Sequence, residues 1–95
     1  MASETIDKTG IVKISNGYRL QFEEAQDTWV LLYPEGMIKL NQSAAEILRR
    51  CDGERNIESV IELLEKDFEQ TGLENDVMGF LSVALEQNWI LIAPA

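Results

Sequence analysis

The sequence has no histidine and only one cysteine, and these two shortages exclude several kinds of site. Without histidine there is no Ser-His-Asp or Cys-His catalytic unit, no imidazole metal ligand and no side chain that ordinarily titrates near pH 7. A single cysteine, Cys51, allows neither an internal disulfide nor a cysteine-based metal site. Cys51 lies on the apolar side of a predicted helix, so we interpret it as a core residue. These absences favour a protein that is not an enzyme and holds no metal or cofactor.

Positive charge and long apolar runs are also scarce. Eight Lys and Arg stand against 17 Asp and Glu, which gives a net charge of −9. This balance opposes binding to nucleic acid or to an anionic membrane, because both need clustered cations. The longest apolar runs, at 29–33 and 89–93, have five residues, whereas a membrane-spanning helix needs about 20. The N-terminus has no apolar signal-peptide core, so we expect a cytoplasmic protein.

The length and the composition are those of one small folded domain. The chain has 95 residues, of which 45% are hydrophobic and 26% charged, a globular composition rather than a disordered one. Residues 1–10 are mostly polar and are predicted to be a flexible N-terminal tail. Residues 11–95 are predicted to form a single domain.

The first half of this domain is predicted to form an antiparallel sheet. Tyr18, Leu20 and Phe22 alternate with polar residues, which is typical of a half-buried strand. Residues 28–33 are apolar on both faces and are predicted to be the central strand. After a Pro-Glu-Gly turn, residues 37–40 form a short third strand. Short connections between consecutive strands indicate a three-stranded meander.

The second half is predicted to form three helices and a short apolar tail. Ser43 and Glu46 fit a capping box at the start of the first helix, and Gly53 is expected at its end. Asn56 is the predicted N-cap of the second helix, and the third spans about residues 74–88. Residues 89–92 are expected to return as a short strand or a packed tail. The predicted fold is therefore α+β and winged-helix-like, a three-stranded antiparallel sheet followed by three helices.

Two features of this arrangement could bind a partner. Apolar residues cover an arc of roughly 160° on the third helix, wider than the roughly 100° that a surface helix needs to face its core. The arc either packs deeply or lines an open groove. The third strand is an edge that a peptide could extend by strand addition, unless Lys39 only protects it from pairing. A slot would form if the third helix runs beside this edge.

Arg49, Arg50 and Arg55 form a basic cluster, which we interpret as neutralising a helix end rather than holding an acidic partner.

The combined order of these segments resembles the PqqD family, which acts in the biosynthesis of pyrroloquinoline quinone (PQQ). The string LLYPEGMIKLNQSAAEILRRCDG at 31–53 carries most of the likeness. YRLQFEEAQ at 18–26, Asp76-Val77 and Phe80-Leu81 in the third helix, and the Asn88-Trp89-Ile90 ending also fit. The likeness covers about residues 11–92.

The resemblance implies a peptide chaperone that serves as a precursor-recognition element for ribosomally made, modified peptides. It implies binding of the precursor peptide PqqA and its presentation to the radical S-adenosylmethionine enzyme PqqE, which joins a Glu and a Tyr side chain of the peptide by a carbon–carbon bond. The peptide is expected to add as a strand beside the third strand and to pack against the third helix. Carried onto this sequence, the peptide-binding residues are Met37, Ile38, Lys39 and Leu40 on the strand and Val77, Phe80, Leu81 and Ala84 on the helix.

Two other functions share this architecture. A winged-helix DNA-binding protein needs cations on its recognition helix, but residues 74–89 contain no Lys or Arg. A recognition element of another modified-peptide pathway, such as that of a lasso peptide, is the closer alternative. We expect a monomer or a weak or swapped homodimer, because an unprotected edge strand can pair with its own copy.

Overall fold

A computed structural model describes residues 6–94, which contain six strands and three helices. The strands are β1 (Ile11–Ile14), β2 (Arg19–Glu23), β3 (Thr28–Tyr33), β4 (Gly36–Lys39), β5 (Asp52–Asn56) and β6 (Ile90–Ala93). The helices are α1 (Gln42–Arg49), α2 (Ile57–Asp67) and α3 (Glu74–Glu86). The α+β class and the three helices are thus confirmed. The winged-helix-like arrangement stays a prediction.

The predicted meander is the sheet with strand order β2-β3-β4. Both pairings are antiparallel, and Leu31 at the centre lies opposite Leu20 on one side and Ile38 on the other. These three side chains share one face, because side chains alternate along a strand. Leu31 is fully buried there, and α1 packs over β3. The apolar alternation along β2 therefore marked the face that Leu20 shares with Leu31, although Phe22 on this face is 42% exposed and packs against Trp29.

A second antiparallel sheet, with strand order β5-β1-β6, was missing from the sequence prediction. The expected C-terminal strand is its β6, which pairs with β1 from Ile11 opposite Ala93 to Ile14 opposite Ile90. On the other side of β1 lies β5, whose sequence DGERN contains no large apolar residue. The predicted single sheet is therefore incomplete, because backbone pairing forms β5 without an apolar pattern.

The helix ends differ from the prediction in three places. Asn41, not Ser43, is the N-cap of α1, and its Oδ1 accepts from the backbone N–H of Ala44 at 2.8 Å. Gly53 has a left-handed φ of +84° as expected, but it lies in β5 and not at the end of α1. The sequence also predicts that Gly72 terminates the second helix, but α2 ends at Asp67. The cap of α2 is confirmed, because Asn56 Oδ1 accepts from Ser59 N at 2.8 Å.

The predicted N-terminal tail falls partly outside the described residues, which begin at Ile6. Two backbone carbonyls of the described part accept hydrogen bonds from the first turn of α2. Lys8 O accepts from Glu58 N and Gly10 O from Ile57 N, both at 3.0 Å. Lys8 Nζ also lies 2.9 Å from Glu74 Oε2 at the start of α3. Residues 8–10 are thus held against the two helix starts.

The three helices enclose one core between the two sheets. Besides the contact of α1 with β3, α2 packs on β5 and α3 on β6, and α1 also packs on α2. Within residues 6–94, no helix is long and apolar enough to cross a membrane. The core contains the following buried hydrophobic residues: Val12, Leu31, Leu40, Ala44, Ala45, Ile47, Leu48, Cys51, Ile57, Val60, Ile61, Leu64, Val77, Leu81, Ala84 and Ile90.

Candidate functional site

The strand β4 is an edge of its sheet, as predicted for the third strand of the meander. Leu40 N donates to Trp29 O at 3.1 Å, so the Leu40 backbone points towards β3. Hydrogen-bonded and non-hydrogen-bonded pairs alternate in an antiparallel ladder. Lys39 and Met37, opposite Val30 and Leu32, are therefore in non-hydrogen-bonded positions. Their N–H and C=O groups point away from β3, towards the free edge.

The side chains of β4 alternate between the two faces of the sheet. Ile38 and Leu40 face the core, where Ile38 is half-buried and Leu40 is 7% exposed. Met37 and Lys39 lie on the outer face, and both are exposed. A strand added beside β4 would therefore contact Ile38 on one face and Met37 and Lys39 on the other.

The helix α3 presents its predicted binding residues in two different environments. Val77, Leu81 and Ala84 are buried in the core. Phe80 is only half-buried and lies against Trp89, with ring centroids 6.4 Å apart. Of the eight residues predicted to contact the peptide, Leu40, Val77, Leu81 and Ala84 therefore pack inside the domain. Met37, Ile38, Lys39 and Phe80 retain accessible surface.

Sequence reasoning missed one exposed apolar residue of α3. Val83 is 47% exposed and lies one helical turn after Gly79, where an added Cβ would meet nothing within 4 Å. The spacing of four residues places Val83 and Gly79 on one face. Val83 lies outside the roughly 160° apolar arc predicted for the third helix. An apolar side chain at that position was the sequence signal for the exposed surface around Gly79 and Val83.

Contacts at its two ends orient α3 relative to β4. The first turn of α3 shares a cleft with the first turn of α1, which directly follows β4. After α3, Trp89 O accepts from Ser15 N at 2.9 Å, and Ser15 O accepts from Tyr18 N at 3.1 Å, beside the start of β2. These contacts place the start of α3 near the start of α1 and its end near the start of β2, which the sheet register puts at the level of the start of β4.

The cleft at the end of β4 has a volume of about 260 Å³ and lies between all three helices. Its lining has a polar rim of exposed or half-buried side chains and an apolar floor of buried or half-buried ones, and it also includes Phe68, which is 41% exposed. The rim consists of Gln42, Ser43, Glu46, Gln70 and Asp76, and the floor of Ile47, Leu64, Leu73 and Val77.

The charged groups near this region are mostly paired. Glu46 Oε1 lies 2.9 Å from Arg50 Nη1 and 3.1 Å from Arg49 Nη1. Arg50 also bonds Asp67 at 2.8 Å. The arginines of the predicted basic cluster thus bind carboxylates of this chain, Arg55 pairing with Asp52. Among residues 6–94, no cation forms an ion pair with Asp76 on the rim of the cleft.

The single thiol lies in the core, in agreement with its predicted role. Cys51 is 4% exposed, and its Sγ donates to Ile47 O at 3.3 Å. Burial raises the pKa of the Cys51 thiol to about 12. The thiol is therefore protonated and unreactive near neutral pH.

Comparison with known proteins gives consistent matches over most of the chain. The family model described as "Coenzyme PQQ synthesis protein D (PqqD)" matches residues 28–90. A PqqA binding protein of Klebsiella pneumoniae is 49% identical over 86 residues, covering 90% of this chain and 94% of that protein. A PqqA binding protein of Azotobacter vinelandii is 51% identical over 81 residues, covering 84% of this chain and 88% of that protein.

A solved structure has the same fold. It is the solution NMR structure of the PqqD truncation of Methylobacterium extorquens PqqCD, described as a functional, stand-alone recognition element for ribosomally synthesized and post-translationally modified peptides. The TM-score is 0.75 at 21% identity, and the match covers 92% of this chain and 95% of that chain. The family model and the relatives, together with the sequence string at 31–53, establish that this chain belongs to the PqqD family.

Proposed function

We propose that this chain is a PqqA-binding peptide chaperone that captures the precursor by strand addition to β4 and presents it to PqqE. The peptide lies in the groove between β4 and α3. The peptide backbone forms hydrogen bonds with the free N–H and C=O groups of Met37 and Lys39. The inward side chains of the peptide contact Ile38 and Phe80. Leu40, Val77, Leu81 and Ala84 support these two walls from the core.

Among residues 6–94 no strand pairs with the outer side of β4, and this free edge is the observation that carries the proposal. Two residues, Met37 and Lys39, direct four backbone groups towards the free edge. Peptides that add to a sheet edge gain affinity from such groups and specificity from alternate side-chain contacts. The names of the relatives support PqqA as the peptide.

The contributions to the binding free energy of such a complex predict a moderate affinity for the peptide. Each strand–peptide hydrogen bond contributes roughly 0.5–1.5 kcal/mol net, and each buried apolar anchor contributes about 1.5–3 kcal/mol. Ordering the flexible peptide costs several kcal/mol. We therefore expect a micromolar or somewhat tighter Kd, with a weak salt dependence because apolar and backbone contacts dominate.

The chain supplies binding and not chemistry in this proposal. The buried, protonated Cys51 is unsuited to act as a nucleophile. Formation of the carbon–carbon bond belongs to PqqE, and this chain holds the peptide in an extended form that the enzyme accepts. We place this action in the cytoplasm.

Calorimetric titration with synthetic PqqA tests the binding mode. Lys39→Pro removes one free-edge N–H but no bond to β3, and prolines are tolerated on edge strands. Lys39→Ala is the matched control, because it removes the side chain and keeps the N–H. We expect Lys39→Pro to weaken binding by at least about tenfold and Lys39→Ala to change it by less than about threefold. Equal affinities of both variants, with both shown to be folded by circular dichroism, would rule out strand addition at β4.

The presentation step needs a separate experiment with the enzyme. PqqE turnover of PqqA is measured by mass spectrometry with wild-type chain, with Lys39→Pro, and without either. We expect cross-linked peptide to accumulate fastest with the wild-type chain. Turnover that is independent of this chain would contradict its role in presentation.

A further inference from the structure

We propose that the cleft at the end of β4 is a separate subsite that receives one large apolar side chain of the bound peptide, next to a basic residue. The inference rests on the proposed function and adds to it a second anchoring point outside the strand pairing. The occupant is the peptide segment that continues past the end of β4.

The position of the cleft is the first reason. Gln42 and Ser43 form part of its rim and follow Lys39, the last residue of β4, by only three and four positions. A strand residue advances the chain by about 3.3 Å. A peptide strand that pairs with Lys39 thus reaches the cleft within a few residues of its last backbone bond.

The lining of the cleft is the second reason. Four buried or half-buried apolar side chains form the floor, and α3 contributes Val77, which is 2% exposed. The volume of about 260 Å³ lies below the roughly 300–1,000 Å³ of small-molecule sites. An apolar floor of this size under a polar rim suits a single side chain of Leu, Met or Phe type.

Charge complementarity specifies the neighbour of that side chain. Glu46 on the rim already pairs with Arg49 and Arg50. Asp76 is exposed and forms no ion pair within the described part of the chain. A Lys or Arg beside the anchor would bond Asp76 without displacing an existing pair.

Blocking the cleft without touching β4 tests this subsite. Gln70→Trp introduces an indole on the rim from the loop between α2 and α3, and Gln26→Trp, in the turn between β2 and β3, is the matched control. With full-length synthetic PqqA as the probe, we expect Gln70→Trp to raise Kd by about tenfold, a change of about 1.4 kcal/mol. We expect Gln26→Trp to leave Kd unchanged within twofold. Asp76→Asn should raise Kd about twofold, and less at high salt.

The outcomes separate this inference from the proposed function. Weaker binding by Gln70→Trp alone, with intermolecular nuclear Overhauser effects between a PqqA apolar side chain and the Val77 methyl groups, supports the subsite. Wild-type affinity of Gln70→Trp together with loss of binding by Lys39→Pro overturns the subsite and keeps strand addition. Absence of PqqA binding by the wild-type chain overturns both.

Discussion

The guanidinium of Arg50 joins the end of α1 to the end of α2 through Asp67, with Nη2 and Oδ2 2.8 Å apart. The same side chain donates through Nη1 to Glu46 O and Glu46 Oε1, and it stacks over the Phe68 ring at 5.6 Å. Burial alone would lower the pKa of Arg50, but its hydrogen bonds to Asp67 and Glu46 raise it overall. Arg50 is thus a charged link between two helices that both line the cleft.

We expect Arg50→Gln to lower the free energy of unfolding by about 2 kcal/mol, because it removes charge-assisted bonds at a mostly buried position. Arg49→Gln is the matched control, since the Arg49 side chain is 45% exposed and that of Arg50 only 14%. Its cost should be about 1 kcal/mol, from about 0.3–0.5 kcal/mol for the helical ion pair with Glu46 and about 0.5–1 kcal/mol for the cation–π contact with Trp29. Urea denaturation measures both. Equal costs would contradict the inter-helix role of Arg50.

The N-cap of α1 gives a second prediction. Asn41→Ala should cost about 1 kcal/mol of stability, because it removes the acceptor for Ala44 N. Ser43→Ala should cost less than about 0.3 kcal/mol, because Ser43 already lies inside the helix, where Ala is favourable. Thermal or urea unfolding of the two variants decides the matter. A larger loss for Ser43→Ala would restore the capping box expected from the sequence.

Neighbouring residues of α3 should separate binding from stability. Leu81 is fully buried, so Leu81→Ala should lower the free energy of unfolding by about 2–5 kcal/mol. Phe80 is half-buried, and Phe80→Ala should weaken PqqA binding about five- to tenfold with a smaller loss of stability. Calorimetry and urea unfolding are run on both variants. If Phe80→Ala bound PqqA as tightly as the wild-type chain, Phe80 would not be part of the groove.

The Cys51 thiol predicts a loss of stability in alkali. Its pKa rises from 9.0 to about 12 on folding, so the unfolded chain ionises first. Below about pH 8.5 the thiol is protonated in both states, and its full contribution to the free energy of unfolding is present. This contribution is lost as the pH rises towards 12, because the unfolded chain ionises first. Above pH 9 the wild-type chain should lose stability faster than Cys51→Ala, by up to about 1.4 kcal/mol per pH unit. Urea unfolding at pH 7, 9 and 10 with reductant tests this, and parallel losses would refute it.

Self-association should compete with peptide binding. Two copies that pair through β4 would use the same free groups of Met37 and Lys39 that we assign to PqqA. Sedimentation at rising concentration should show a weak dimer that Lys39→Pro abolishes and PqqA dissociates. A dimer that persists in the presence of saturating PqqA would have to use another surface.

The meander was predictable because its apolar alternation and its turns agree along the chain. Tyr18, Leu20 and Phe22 have the spacing of one face, and the two-residue connection between Tyr33 and Gly36 fixes the next pairing. By contrast, β5 carries no such signal. Asp52 Oδ1 accepts hydrogen bonds from the backbone N–H groups of Glu54 and Arg55, at 2.9 and 3.0 Å. Such side-chain bonds of an Asp to the backbone after it are typical of a turn and not of a strand. Only the distant partner β1 makes this segment a strand.

The candidate site was predictable as an edge but not as a set of side chains. Strand order alone places β4 at the edge of the meander, and a wide apolar arc is visible in α3. Which part of that arc is buried depends on β6, which packs against α3 and is paired to β1. The prediction omitted this second sheet. Val77, Leu81 and Ala84 therefore could not be told apart from Phe80.

The pairing of β1 with β6 also determines how the domain responds to force. Ile11 and Ala93, near the two ends of the chain, lie opposite each other. Because the two strands are antiparallel, tension applied at Ile11 and Ala93 would separate β6 from β1 by breaking their backbone hydrogen bonds one after another. The β4 edge belongs to the other sheet and lies outside this path. Pulling from both ends should therefore open the domain at low force by separating its first strand from its last.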